Sequence, residues 1–228
     1  MPGTHDDLDE TTHGRSGVVE MVGLHGFVQL AAFTRLATDA EHAPDLRVQV
    51  TLARMAAGEL AALDHLERVA REQGADLYEA MAGYVDVLRD FDRRTPPGDW
   101  WERVVRTYVA HGVLGDLQRE LSRAVDENGR PLLDDVLADS GYEDFVVALL
   151  GPVVAAEPQL SARLALWGRR VVGEALGIAQ RVLAEHPALW AFAARQDDAE
   201  SDGGDGGWLR RQLSAGHARR LDRLGLTA

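Results

Sequence analysis

Glu59 and Glu174 stand where amphipathic helices should be apolar. Read in steps of three and four, one stretch runs Val48, Leu52, Met55, Glu59, Ala62, Leu66, Val69. The other runs Leu160, Leu164, Trp167, Val171, Glu174, Ile178, Val182. Each carboxylate replaces one apolar residue in a regular stripe. A lone ionised carboxylate in a core is costly, so it is paired, protonated or bound to metal. The same reading of two other long stretches gives Val22, His25, Gln29, Ala32, Leu36 and Val105, Val109, Gly112, Asp116. Gln29, Glu59, Asp116 and Glu174 would then point inward from four helices. That is the layout of a carboxylate-bridged di-metal site in a bundle. Fe(II) or Mn(II) accepts such ligands together with an imidazole, for which His25 is placed.

The elements that must position these residues are helical. Apolar periodicity predicts long helices over about 18–40, 44–73, 100–125 and 158–186, with shorter ones near 77–93, 132–139, 142–156 and 188–195. Gly74 reads as a C-cap, and Thr95-Pro-Pro-Gly-Asp99 as a stop followed by an N-cap. No sustained alternation of β-branched residues predicts a strand. The expected fold is all-α: a four-helix bundle with additional short helices, formed by a single domain over 17–228. Residues 1–16 read as a disordered acidic N-terminus. Residues 197–207, with five acidic residues and four glycines, read as a flexible loop. A basic helix over 208–224 follows, carrying Arg210, Arg211, Arg219, Arg220 and Arg223.

The 228 residues include 37 acidic and 24 basic ones, for a net charge of −13. This balance argues against DNA and against an anionic membrane surface. Every basic residue is arginine, which reads as a high-GC bacterial coding bias. There is no cysteine, which excludes disulfides, thiolate metal sites and a cysteine nucleophile. The acidic start is no signal peptide, and no run approaches the ~20 apolar residues of a membrane span. A cytoplasmic protein is expected.

The order of motifs resembles the ferritin-like superfamily, in particular the actinobacterial proteins related to the tRNA-(2-methylthio-N6-isopentenyladenosine) hydroxylase MiaE. The resemblance covers about residues 18–226. It is carried by Leu30-Ala-Ala-Phe33, Met55-Ala-Ala-Gly-Glu59, Arg94-Thr-Pro-Pro-Gly-Asp-Trp100, Asp144-Phe-Val-Val147, Leu166-Trp-Gly-Arg-Arg170, Gly173-Glu-Ala-Leu-Gly-Ile-Ala-Gln-Arg-Val182 and Arg223-Leu-Gly-Leu-Thr-Ala228. It implies a ferritin-like bundle and, in catalytic relatives, a di-iron oxygen-dependent hydroxylase. A tRNA partner is implied by the resemblance alone.

The departures from that pattern are specific. The di-iron signature needs Glu-x-x-His on two helices. Here Glu59 is followed at that position by Ala62, and Glu174 by Gly177. Gln29 stands where the family has a glutamate. His65 lies six residues beyond Glu59 and points roughly 120° away from it. The residues also fit a plainer reading. Arg170 could neutralise Glu174, Arg54 or a residue from a neighbouring helix could neutralise Glu59, and Asp116 could be only a solvated residue beside Arg119. Gln29 could be a core amide, and His25 and His111 satisfied interior or rim groups. The expected function is therefore a non-catalytic binding or interaction role on a ferritin-like scaffold with a degenerate di-iron site, no cofactor, and an apolar helix face available for a homodimer. The alternative is a non-haem iron or manganese oxygenase acting on a modified tRNA base or a small molecule.

Overall fold

In the computed structural model, which describes residues 6–123, 141–200 and 207–226, the chain is all-α. Helix α1 spans Asp6–Glu41 and α2 Leu46–Glu72; the short α3 (Leu77–Ala82) and α4 (Val85–Arg94) follow. Then come α5 (Trp100–Arg123), α6 (Tyr142–Ala156), α7 (Pro158–Glu185), α8 (Pro187–Glu200) and α9 (Gly207–Arg223). No strand occurs among the described residues.

Local chemistry sets the boundaries. The Asp45 carboxylate accepts from the Val48 amide at 3.0 Å and starts α2. Asp76 does the same for α3 through the Glu79 amide at 2.9 Å. Such caps each contribute about 1 kcal/mol. At α5 the bonds are reciprocal: the Glu102 amide donates to Asp99 at 2.9 Å, and the Glu102 carboxylate accepts from the Gly98 amide at 2.7 Å. Gly74 ends the turn after α2 at φ +72, a conformation that a side chain would strain.

Three expectations change. Helix α1 starts at Asp6, within the stretch expected to be disordered. The stretch 77–93 is two helices, because the turn at Gly83 and Tyr84 breaks it. Helix α8 continues through Glu200, into the expected loop. The expected helix near 132–139 and the middle of that loop lie outside the described residues.

Helix α1 packs chiefly on α2, α5 chiefly on α7, and the two pairs meet through α1 and α5. Helices α6 and α9 cover the rest of α5. The shared core includes Met21, Val22, Tyr108, Leu117, Leu150 and Val171, none of them more than 1% exposed. The stretch Gly17–Glu41 is long and apolar enough to cross a membrane by length and composition, contrary to the expectation of no such run. In the fold, more than half of it is buried against neighbouring helices.

Candidate functional site

Glu59 lies on the buried stripe of α2, between Ala56 and Leu66, as its spacing implies. It is 6% exposed. Burial pushes its carboxyl up to about 7. Arg54, the anticipated partner, points to solvent. No ion pair or hydrogen bond reaches the Glu59 carboxyl among the described residues.

Glu174 is not in the core. The buried row of α7 runs through Val171, Val172, Ala175, Ile178 and Ala179, which leaves Glu174 on its shoulder. Its carboxylate faces α4, 3.7 Å from Arg94, and the side chain is 33% exposed. Arg94 also pairs with Asp90 at 2.9 Å. Arg170 does not neutralise Glu174; it donates to the Arg94 carbonyl at 2.7 Å and lies over the Trp167 ring. A loose, half-exposed pair of this kind contributes little, so Glu174→Ala is expected to change stability by less than about 1 kcal/mol in urea unfolding. A larger loss would mean that Glu174 carries a buried contact.

Asp116 faces α9. It accepts from both terminal nitrogens of Arg220, at 2.6 and 2.8 Å, and from Arg119 at 2.6 Å. Burial alone would raise this carboxyl; the bonds and charges of Arg220 and Arg119 outweigh it and hold it below the ordinary aspartate value. Arg220 also donates to Glu143 at 2.6 Å, and its backbone carbonyl accepts from Tyr108 at 3.3 Å. Space for this guanidinium comes from Gly112, where a Cβ would overlap the Arg220 side chain. Asp116 is thus not the solvated residue of the plainer reading: Arg119 is a partner, and Arg220 is the stronger one.

The polar groups that do meet inside the bundle lie between α1 and α5. His25, fully buried, donates from Nδ1 to the Met21 carbonyl at 2.9 Å, which leaves Nε2 to accept from the Ser122 hydroxyl at 3.4 Å. Burial pushes this imidazole down to about 4, so it is neutral. Nearly three turns beyond Gln29, the Thr107 hydroxyl donates to Asp39 at 2.6 Å, and Arg103 lies 3.6 Å from the same carboxylate. Burial raises the Asp39 carboxyl, against the opposing pull of Thr107, Arg106 and Arg103. These two contacts fix an antiparallel register that sets buried Gln29 opposite buried Gln118. The Gln118 amide nitrogen is buried without a hydrogen-bond partner.

Asp39, Thr107, Gln118 and Ser122 are interior polar residues that the spacing argument passed over. Their signal is present: Thr107, His111, Gln118 and Ser122 lie four, seven and four residues apart on one face of α5. His111 packs edge-on against Tyr142.

The described residues do not assemble a carboxylate-bridged di-metal centre. Among the described residues, no group of three or more His, Asp or Glu side chains could hold a metal ion. Glu59 contributes one carboxyl and His25 an imidazole with both nitrogens engaged; Gln29 and Gln118 contribute neutral amides. Asp116 and Glu174 are turned toward arginines.

Comparison with known proteins agrees with the fold. No protein of curated function matches the sequence. The structure is similar to a solved protein described as protein 19 with aldehyde deformylating oxidase activity from Synechococcus. The TM-score is 0.70 at 17% identity, covering 95% of this chain and 93% of that one. At this identity the likeness is one of fold. A family model described as a ferritin-like domain of actinomycetes matches residues 12–195. The chain therefore belongs to the actinomycete ferritin-like domain family.

Proposed function

We propose that this ferritin-like chain, of the MiaE-related group by its motifs, works by binding and not by oxidation. Its polar interior would be held by hydrogen bonds and ion pairs where the resembling hydroxylases carry metal ligands. The observation that carries this reading is the capture of Asp116 by Arg220. A cation at Asp116 would have to displace two charge-assisted bonds from a buried guanidinium, each stronger than a neutral hydrogen bond. The amides at Gln29 and Gln118 and the neutral His25 support it too, since none brings the negative charge that Fe(II) or Mn(II) favours. The test is metal content and melting. Protein purified from iron- and manganese-supplemented cells is expected to hold far less than one metal per chain. Its melting temperature is expected to be the same with and without anaerobic Fe(II), because a ligand that binds only the folded state must raise it.

One observation favours a second reading, a non-haem iron or manganese oxygenase of a modified tRNA base or a small molecule. The Glu59 carboxyl is buried with no partner among the described residues, so its charge is open to a cation. Near-stoichiometric iron that disappears in Glu59→Ala would establish that reading and end the first.

A further inference from the structure

The second half of α7 and the first turns of α8 and α9 enclose a groove of about 520 Å³. Its floor is apolar and well packed: Ala179, Leu183, Leu209 and Leu213 are each less than 10% exposed. Leu176, Pro187 and the indole of Trp190, itself 39% exposed, form the walls. The volume lies within the roughly 300–1,000 Å³ of small-molecule sites, which pair an apolar lining with a few placed polar groups. Here the polar groups of the lining are both exposed.

Those groups are the Gln180 amide and the Arg210 guanidinium. Among the described residues Arg210 has no ion pair or hydrogen bond. That sets it apart from Arg220 and Arg223 on the same helix, which both bind carboxylates. Arg210 also lies in the first turn of α9, where the helix dipole is positive and the turn itself carries no acidic residue. A chain of net charge −13 thus places a cation with no partner among the described residues beside an apolar recess.

We infer that this groove binds an amphipathic carboxylate, with the apolar body on the leucine floor and the carboxylate at Arg210 and Gln180. Planar bidentate bonding to a carboxylate suits a guanidinium. The apolar body gains by leaving water, at about 25 cal/mol per Å² buried. A neutral apolar molecule would leave Arg210 without a counter-charge, and a cationic one would meet it with repulsion. The site needs no metal and is separate from Glu59, so iron found in the bundle would leave this inference standing.

The test is calorimetric titration of the full chain with decanoate, decan-1-ol and decylamine, each below its aggregation limit. Decanoate is expected to bind once per chain and to shift the tryptophan emission. Decylamine is expected to bind at least about tenfold more weakly, the loss of one charged hydrogen bond. Arg210→Glu is expected to weaken decanoate by about tenfold or more while changing decan-1-ol by less than about threefold. Ala184→Trp, which fills the groove from an exposed position, is expected to abolish both. Both altered residues are exposed, so circular dichroism should report unchanged folding. Equal binding of decylamine and decanoate, or decanoate binding unchanged in either variant, overturns the assignment. So does a dimer in sedimentation that Ala184→Trp converts to monomer, because a second copy would then be the occupant.

Discussion

Arg220→Met is expected to destabilise the fold by about 3–5 kcal/mol, the largest effect of any single change at a charged residue here. The guanidinium is buried, 8% exposed, and holds Asp116 and Glu143, themselves 17% and 25% exposed. Removing it leaves two partly buried carboxylates without their main cation. The cost is mostly that of charge stranded in a poor solvent, not the value of the pair itself. Lysine should rescue little, because an ammonium cannot bridge both carboxylates in the geometry of a guanidinium. The triple variant Arg220→Met, Asp116→Asn, Glu143→Gln should recover much of the loss by removing the stranded charges. Urea unfolding of the three proteins measures this. A loss below about 1 kcal/mol in Arg220→Met would show that Arg119 and Arg223 already neutralise the site.

Glu59 should impose a strong pH dependence on stability. Its carboxyl is raised from 4.5 to about 7 by burial alone. The folded state therefore holds the proton more tightly than the unfolded chain. No penalty applies below about 4.5, stability falls as the pH rises through about 7, and the full cost applies above that. At 1.36 kcal/mol per unit, that cost is about 3 kcal/mol. Glu59→Leu should consequently be more stable than the wild type at pH 8 by about 2–4 kcal/mol, and close to it at pH 4.5. Glu59→Gln should remove the same slope without adding an apolar contact. Unfolding curves for the three proteins at both pH values decide it: a wild-type-to-Gln difference that is the same at pH 4.5 and pH 8 would sink the argument.

The sequence reading succeeded where one face of a helix is buried and the other is wet. Helix α2 is such a helix, and its stripe was found with Glu59 on it, as the structure has it. Helix α7 is one-sided too, but its buried row is broad enough that a strict three-four walk can follow its shoulder. That walk picked Glu174, whereas Ala175 one residue on is fully buried. On helix α5 the stripe Val105, Val109, Gly112, Asp116 is only one of several that the pattern allows. Val104 through Ala110 are all buried, because α1, α7, α6 and α9 surround it, and a helix covered on all sides carries little phase information. Asp116 was therefore assigned inward, although it faces α9. The boundaries at Asp99 and Gly74 were legible because they rest on local signals, which need no partner elsewhere in the chain. Arg220 was not legible as the partner of Asp116, since 104 residues separate them.

That separation orders events during synthesis. Asp116 and Glu143 emerge from the ribosome well before Arg220, which follows them by 104 and 77 residues. At several residues per second, α5 and α6 wait seconds for the charge that lets them close. Until then only Arg119, half exposed, attends Asp116. Helix α9 thus brings the stronger cation to this seam only after α5 and α6 have been made.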